Sequence, residues 1–112
     1  MDETMNEEAV DGDPIILRLY VTGQTPSSRE AIEAIEELCQ TQFQGTYDLE
    51  VIDVREDPER AEEDKIMATP TLVKELPPPL RKLIGDLSDH ERVLVGLELD
   101  HLHRSPPNGS VE

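Results

Sequence analysis

The sequence predicts a single α/β domain that opens with a parallel strand–helix–strand unit, and three observations carry that prediction. Residues 15–21 read as a strand with apolar residues on both faces, residues 26–43 carry one apolar stripe at helical spacing, and residues 47–54 return to a strand pattern. A helix joining two strands over this connection length implies a parallel, right-handed crossover. A chain of 112 residues has room for one modest core and no second domain.

In the first strand, Ile15, Leu17, Leu19 and Val21 alternate with Ile16, Arg18 and Tyr20, and both sets are partly apolar, as inside a covered sheet. Thr22-Gly23 ends it. The first helix starts at Thr25 or Ser27 as N-cap, with Pro26 in the first turn and Ser27 and Glu30 spaced as a capping box. Ala31, Ile32, Ile35, Leu38, Cys39 and Phe43 form its apolar stripe, Glu33, Glu36, Glu37 and Gln40 face out, and Gly45 stops it. Asp57-Pro58 opens a short helix that runs to about Asp64, a capping residue followed by proline.

Beyond Thr69 the periodicity supports two structures. Leu80, Leu83 and Ile84 fit a helical turn, yet 80–84 also fits a short strand. Val93, Val95, Leu97 and Leu99 alternate as a strand does, whereas Val93, Leu94, Leu97 and the continuation over 98–102 fit a helix capped by Ser88 or Asp89. Residues 1–13 contain Asp2, Glu3, Glu7, Glu8, Asp11 and Asp13 with no basic residue, too polar to offset their ordering entropy, and read as a disordered tail. The domain is expected over 14–100. Residues 101–112, with Pro106-Pro107 and Asn108-Gly109, read as a flexible tail.

Composition excludes several functions. The formal net charge is −16, from 26 Asp and Glu against 10 Lys and Arg, which argues against nucleic acid and anionic membrane as partners because a phosphate surface must be met by cations. The same excess suits either a self-repelling soluble surface or a high-salt setting, the first being the simpler reading. The one cysteine, Cys39, has no internal disulfide partner. No apolar run approaches the roughly 20 residues of a membrane span, and no basic-then-apolar leader opens the chain, so a cytoplasmic location is expected.

Strand–helix–strand followed by Thr69-Pro70-Thr71-Leu72 looks like thioredoxin, but the loop before the first helix is Thr25-Pro26-Ser27-Ser28, without the thiolate that disulfide exchange needs. Cys39 lies late on the helix, near its negative end, and reads as a core residue. Asp100, His101 and His103 make only a weak metal-ligand cluster in a tail, and the glycines stand singly, so no metal and no nucleotide or other cofactor is expected. Recognition remains. With one Phe, two Tyr and no Trp, a partner is expected to meet strand edges, prolines and charges. Lys74 and Arg81-Lys82 flank Pro77-Pro78-Pro79 and stand out from the acidic background, either as partner contacts or as charges that protect an edge from aggregation.

Six blocks in order carry a resemblance over residues 14–99. They are the stretch from Leu17 to Pro26, the strand 47–54, Ala61-Glu62-Glu63-Asp64-Lys65-Ile66, the Thr69-Pro70-Thr71-Leu72 turn with its following Pro77-Pro78-Pro79, Ile84-Gly85-Asp86-Leu87-Ser88, and Arg92-Val93-Leu94-Val95-Gly96-Leu97. Together they resemble the KaiB family of circadian clock proteins.

The resemblance implies a thioredoxin-like single domain whose C-terminal half exchanges between a KaiB ground-state fold and the thioredoxin-like one. It also implies a protein with no enzymatic activity that binds the ring of a KaiC-type ATPase and modulates its phosphorylation cycle, and that self-associates as a tetramer or dimer. Glu63, Asp64 and Lys65 match the second-helix segment that helps dock KaiC. Gly96 and Glu98 match positions that set the balance between folds, the family usually having Asp at the latter. Pro70, Pro77, Pro78 and Pro79 are expected to slow the exchange, since X-Pro isomerisation takes tens to hundreds of seconds. Asp48 and Glu50 lie on the strand that is basic in relatives that meet KaiA, which argues against KaiA as a partner. Ile15 where the family often has Tyr, and Asp100-His101 without the usual aromatic, argue against the tetramer. The other reading is a sensor module resembling the SasA input domain, fixed in the thioredoxin-like fold and competing for KaiC.

Overall fold

The computed structural model describes residues 14–43 and 47–99. In chain order the elements are β1 (Ile15–Val21), α1 (Pro26–Gln42), β2 (Tyr47–Asp53), α2 (Pro58–Glu63), β3 (Thr71–Leu76), β4 (Arg81–Ile84) and α3 (His90–Gly96). The strands form a four-stranded sheet in the order β2-β1-β3-β4. β1 and β2 are parallel, in register from Ile15 opposite Tyr47 to Val21 opposite Asp53, as the crossover pattern predicts. β3 runs antiparallel to both β1 and β4.

Each face of the sheet is covered separately. Leu17, Leu19 and Val21 of β1 and Leu72 of β3 pack with Ala31, Ile35, Leu38 and Cys39 of α1 and with Val93 and Leu94 of α3. On the other face Tyr20, Ile52 and Val73 form a smaller cluster closed by Val54, Ala61 and Ile66 from and beside α2. The two apolar sets read in the first strand are therefore the two faces of a covered sheet.

The caps of α1 and α3 follow the chemistry of the sequence, whereas Asp57 stands at the N-cap of α2 without a side-chain capping hydrogen bond. Thr25 is the N-cap of α1, and its hydroxyl accepts from the Ser28 amide at 3.1 Å. The alternative start at Ser27, with its box to Glu30, is not used: Pro26 and Ser27 are already the first helical residues. Phe43 caps the other end through its amide to the Cys39 carbonyl, and the expected stop at Gly45 lies outside the described residues. Asp89 caps α3 by accepting from the Arg92 amide.

The ambiguous half resolves as strand then helix. Residues 81–84 pair with β3, and 90–96 are helical with Val93 and Leu94 buried while Val95 is 55% exposed. Helical spacing therefore describes 90–96 and strand alternation does not, but the expected continuation beyond Leu97 is not helical at Glu98 and Leu99, because Glu98 turns left-handed at φ +60° and closes the helix. The peptide bonds Thr69-Pro70, Leu76-Pro77 and Pro78-Pro79 are cis. The expected tails 1–13 and 101–112, with the Asp100, His101 and His103 cluster, lie outside the described residues.

Candidate functional site

Arg18, Tyr20, Asp64, Glu75 and Lys82 form a polar network where α2 ends against the sheet. Arg18 and Tyr20 point to that side from β1, because they alternate with the core-facing Leu17 and Leu19. Both reach Asp64, the residue that terminates α2. Its carboxylate accepts from Arg18 Nε at 3.0 Å and from the Tyr20 hydroxyl at 2.5 Å. Arg18 also pairs with Glu75 of β3, and Lys82 of β4 donates to the Asp64 backbone carbonyl. Arg60 of α2 holds Glu50 of β2 in a two-pronged pair, Nη1 to Oε2 at 2.6 Å and Nη2 to Oε1 at 2.9 Å. Side chains from four strands and a helix thus converge on one helix end.

The electrostatics follow from this packing. Burial alone would raise the Asp64 carboxyl, but the hydrogen bonds from Tyr20 and Arg18 outweigh it and hold the group below its ordinary value. The Tyr20 hydroxyl is pushed up to about 12 by burial and by its bond to Asp64. Glu50 is held low, chiefly by the Arg60 hydrogen bonds. At neutral pH this is a set of fixed charges with no group poised to exchange a proton.

The helix end is shaped by an unusual residue. The Ile66 amide bonds the Ala61 carbonyl at 2.9 Å and the Lys65 amide bonds the Glu62 carbonyl at 3.0 Å, the two bonds of a Schellman motif. Lys65 occupies the position usually taken by glycine and has φ +57°. Ile66 and Ala61 close the motif by packing on the same cluster. The same device ends α3, where Leu99 bonds Leu94 at 2.7 Å, Glu98 bonds Val95 at 3.0 Å, and Glu98 has φ +60°.

The structure sorts the candidate partner residues. Glu63 and Lys65 are exposed, whereas Asp64 spends its carboxylate on Arg18 and Tyr20 and so positions its two neighbours. Arg81 and Lys82 are exposed on the edge strand β4, Arg81 bonding Glu98 through Nε at 2.9 Å and Lys82 reaching the end of α2. Lys74 departs from expectation. It faces the α1 and α3 side of β3, is 0% exposed, and offers no charge to a partner in this arrangement. The cause is register, because Lys74 alternates with Val73 and Glu75 and falls on the same face as Leu72. Among the fold-balance residues, Gly96 is the last residue of α3 and a Cβ there would stand 3.0 Å from Leu83 Cδ1. Pro70 borders a cleft of about 310 Å³ shared with Ser27, Glu30 and Leu87, Pro77 is buried, and Pro78 and Pro79 are exposed in the β3–β4 connection. Reading the sequence alone missed Arg18, Tyr20 and Glu75; an arginine and a tyrosine two apart on an otherwise apolar strand were the available signal.

At the start of α1, the Ser28 hydroxyl lies buried between the Thr22 backbone and the Thr25 hydroxyl, donating to the Thr22 carbonyl at 3.0 Å. Ser27 and Pro70 line the same cleft. Cys39 is buried at a distance along α1, and burial, with Glu36 adding to it, pushes its thiol up to about 12. Among the described residues no group of three or more His, Cys, Asp and Glu side chains is placed to hold a metal ion. No helix among them is long and apolar enough to cross a membrane.

Fold and site define a thioredoxin-like α/β domain with serines where a thiol pair would stand and with its charges drawn to the end of α2. Its solved likenesses agree on the fold. The N-terminal domain of Synechococcus elongatus SasA matches with a TM-score of 0.66 at 24% identity, over 88% of this chain and 95% of that one. Chloroplastic thioredoxin z matches with a TM-score of 0.64 at 18% identity, over 80% of this chain and 81% of that one. The KaiB domain family model matches residues 18–99. The circadian clock oscillator protein KaiB of Acaryochloris marina is 61% identical over 84 residues, 75% of this chain and 81% of its own length. The KaiB of Prochlorococcus marinus strain MIT 9515 is 56% identical over 96 residues, 84% of this chain and 89% of its own length. The chain belongs to the KaiB family.

Proposed function

We propose that this chain is a non-enzymatic circadian clock regulator that docks on the ring of a KaiC-type ATPase through the end of α2 and modulates its phosphorylation cycle. The observation that carries the reading is the fixed end of α2: Asp64 is anchored by Arg18 and Tyr20, leaving Glu63 and Lys65 exposed on a helix terminus held against the sheet. A preorganised charged pair loses little side-chain and loop entropy on binding, which favours affinity. Lys82, beside the same helix end, extends the face. In this reading the thioredoxin-like arrangement is the binding form and the C-terminal half, with Gly96 and Glu98 at the end of α3, exchanges with a second fold, so that apparent affinity is reduced by the fraction of chain in the binding form. Glu50, tied to Arg60 on an acidic β2, speaks against KaiA as a second partner there.

A second reading is favoured by one observation, the likeness to the SasA N-terminal domain at a TM-score of 0.66. In that reading the chain keeps the thioredoxin-like fold and competes for the ATPase as a fixed sensor module. Titrating the chain and its Lys65→Glu variant against a KaiC-type ring tests the docking common to both. Reversal of a charge at the interface is expected to weaken binding by about 1–3 kcal/mol. No binding by the unmodified chain, or equal binding by both, rejects the site. Amide spectra of residues 69–99 then separate the readings, two exchanging sets of resonances belonging to the first and a single set to the second.

A further inference from the structure

Lys74 is the one buried ionisable cation among the described residues, and nothing in the docking surface uses it. Its side chain is 0% exposed and its Nζ has no hydrogen-bond partner among the described residues. The register places it between Leu17 of β1 and Arg81 of β4, on the face covered by α1 and α3. The charged groups that act on it are Glu98, in the turn that ends α3, and Arg81, which is itself bonded to Glu98. β1 offers only Leu17 at this point, since Arg18 faces the opposite side; Lys82 of β4 likewise lies on the opposite side. α1 contributes to this core one titratable side chain, the Cys39 thiol, which burial keeps neutral. The remaining charges of α3, His90, Glu91 and Arg92, are in its first turn, at the far end from Glu98.

An ammonium removed from water without a hydrogen-bonded partner is far more costly than the neutral amine. Desolvation accordingly lowers the Lys74 ammonium from its ordinary value, Glu98 works against the change and Arg81 adds to it. The turn that closes α3 brings the Glu98 charge to act on Lys74. α3 is a seven-residue helix, its closing residue Glu98 sits in the left-handed region, and it meets β4 where Gly96 adjoins Leu83.

We propose that Lys74 makes the seating of α3 on β4 depend on pH, the seated form holding Lys74 as a neutral amine and the released form taking up a proton there. The seated form binds fewer protons than the released form, so its stability rises with pH between the lowered value and the ordinary one of 10.5, and is constant below that window. Within the window the ratio of seated to released forms gains up to about tenfold per pH unit. Alkaline solution thus tightens α3.

The test uses the full chain labelled at the lysine Cε carbons. Lys74 is expected to titrate below its ordinary value of 10.5, and protection of the Val93 and Leu94 amides, corrected for intrinsic exchange, is expected to rise with pH in the unmodified protein. In Lys74→Met, which keeps most of the length of the side chain without the charge, that rise is expected to vanish. Lys74 titrating at or above its ordinary value of 10.5, or the same rise in Lys74→Met, overturns the proposal. The carbon titration needs no variant, so it decides the matter even where Lys74→Met fails to fold.

Discussion

The Tyr20 hydroxyl donates to the Asp64 carboxylate at 2.5 Å, joining the second residue from the end of β1 to the cap of α2 across 44 positions of sequence. That bond, with Arg18 on the same carboxylate, turns a six-residue helix into a fixed platform. Isolated helices of this length do not hold in water, so α2 depends on these tertiary anchors.

Asp64→Asn tests the anchor. The amide keeps an acceptor but loses the charge-assisted bonds, with an expected stability loss of about 1–3 kcal/mol. The carboxyl lies below its ordinary value of 3.8 in the folded chain, so its contribution is complete above the unfolded value and is lost as pH falls through the folded one. Urea unfolding at pH 7 and near pH 3 checks both points, the loss of stability on acidification being smaller in Asp64→Asn.

Lys65→Gly separates stability from binding. Glycine relieves a left-handed position that costs a side-chain residue about 1 kcal/mol, and exposed Lys65 makes no buried contact to lose. The variant is expected to unfold at higher urea concentration and yet to bind the KaiC-type ring more weakly. A variant that is more stable and binds equally well removes the Lys65 charge from the docking face.

Gly96→Ala should act through Leu83. Alanine is favoured over glycine by about 1 kcal/mol inside a helix, but Gly96 is the last residue of α3 and its new Cβ would stand 3.0 Å from Leu83 Cδ1. Leu83 is only partly buried and can yield, so a net gain below about 1 kcal/mol is expected for the arrangement seen here. In a double-mutant cycle, Gly96→Ala and Leu83→Val are expected to be non-additive.

Cys39→Ala is expected to cost about 1–2 kcal/mol through the lost sulfur volume, without affecting partner binding. Because burial pushes the thiol up to about 12, native Cys39 should react with a thiol reagent only as fast as the chain opens. Insulin reduction at a thioredoxin-like rate would contradict the reading of the serine loop.

The first half of the fold was legible because its signals agree. Thr25-Pro26 fixes the start of α1, the stripe from Ala31 to Phe43 lies on one face, and β1 is apolar on both faces as a covered strand should be. From Arg81 to Leu99 the local signals conflict, and tertiary contacts decide: 81–84 becomes a strand because β3 offers its edge, and Val93 and Leu94 become helical because they fill the core beside α1. The exposed pair Glu63 and Lys65 was readable from the family pattern. Its support was not, since the Arg18, Tyr20 and Asp64 network joins residues more than 40 apart in sequence. Lys74 was misplaced because a cation beside a proline run reads as surface, while its face depends on strand register that composition does not reveal.

Docking of the fixed end of α2 on a KaiC-type ATPase is tested by cross-saturation from the unlabelled ring to the amides of the labelled chain. Transfer is expected to centre on residues 61–66 and to reach Lys82 on β4, with β2 unaffected. Transfer confined to the β2 edge, with 61–66 silent, would contradict that docking.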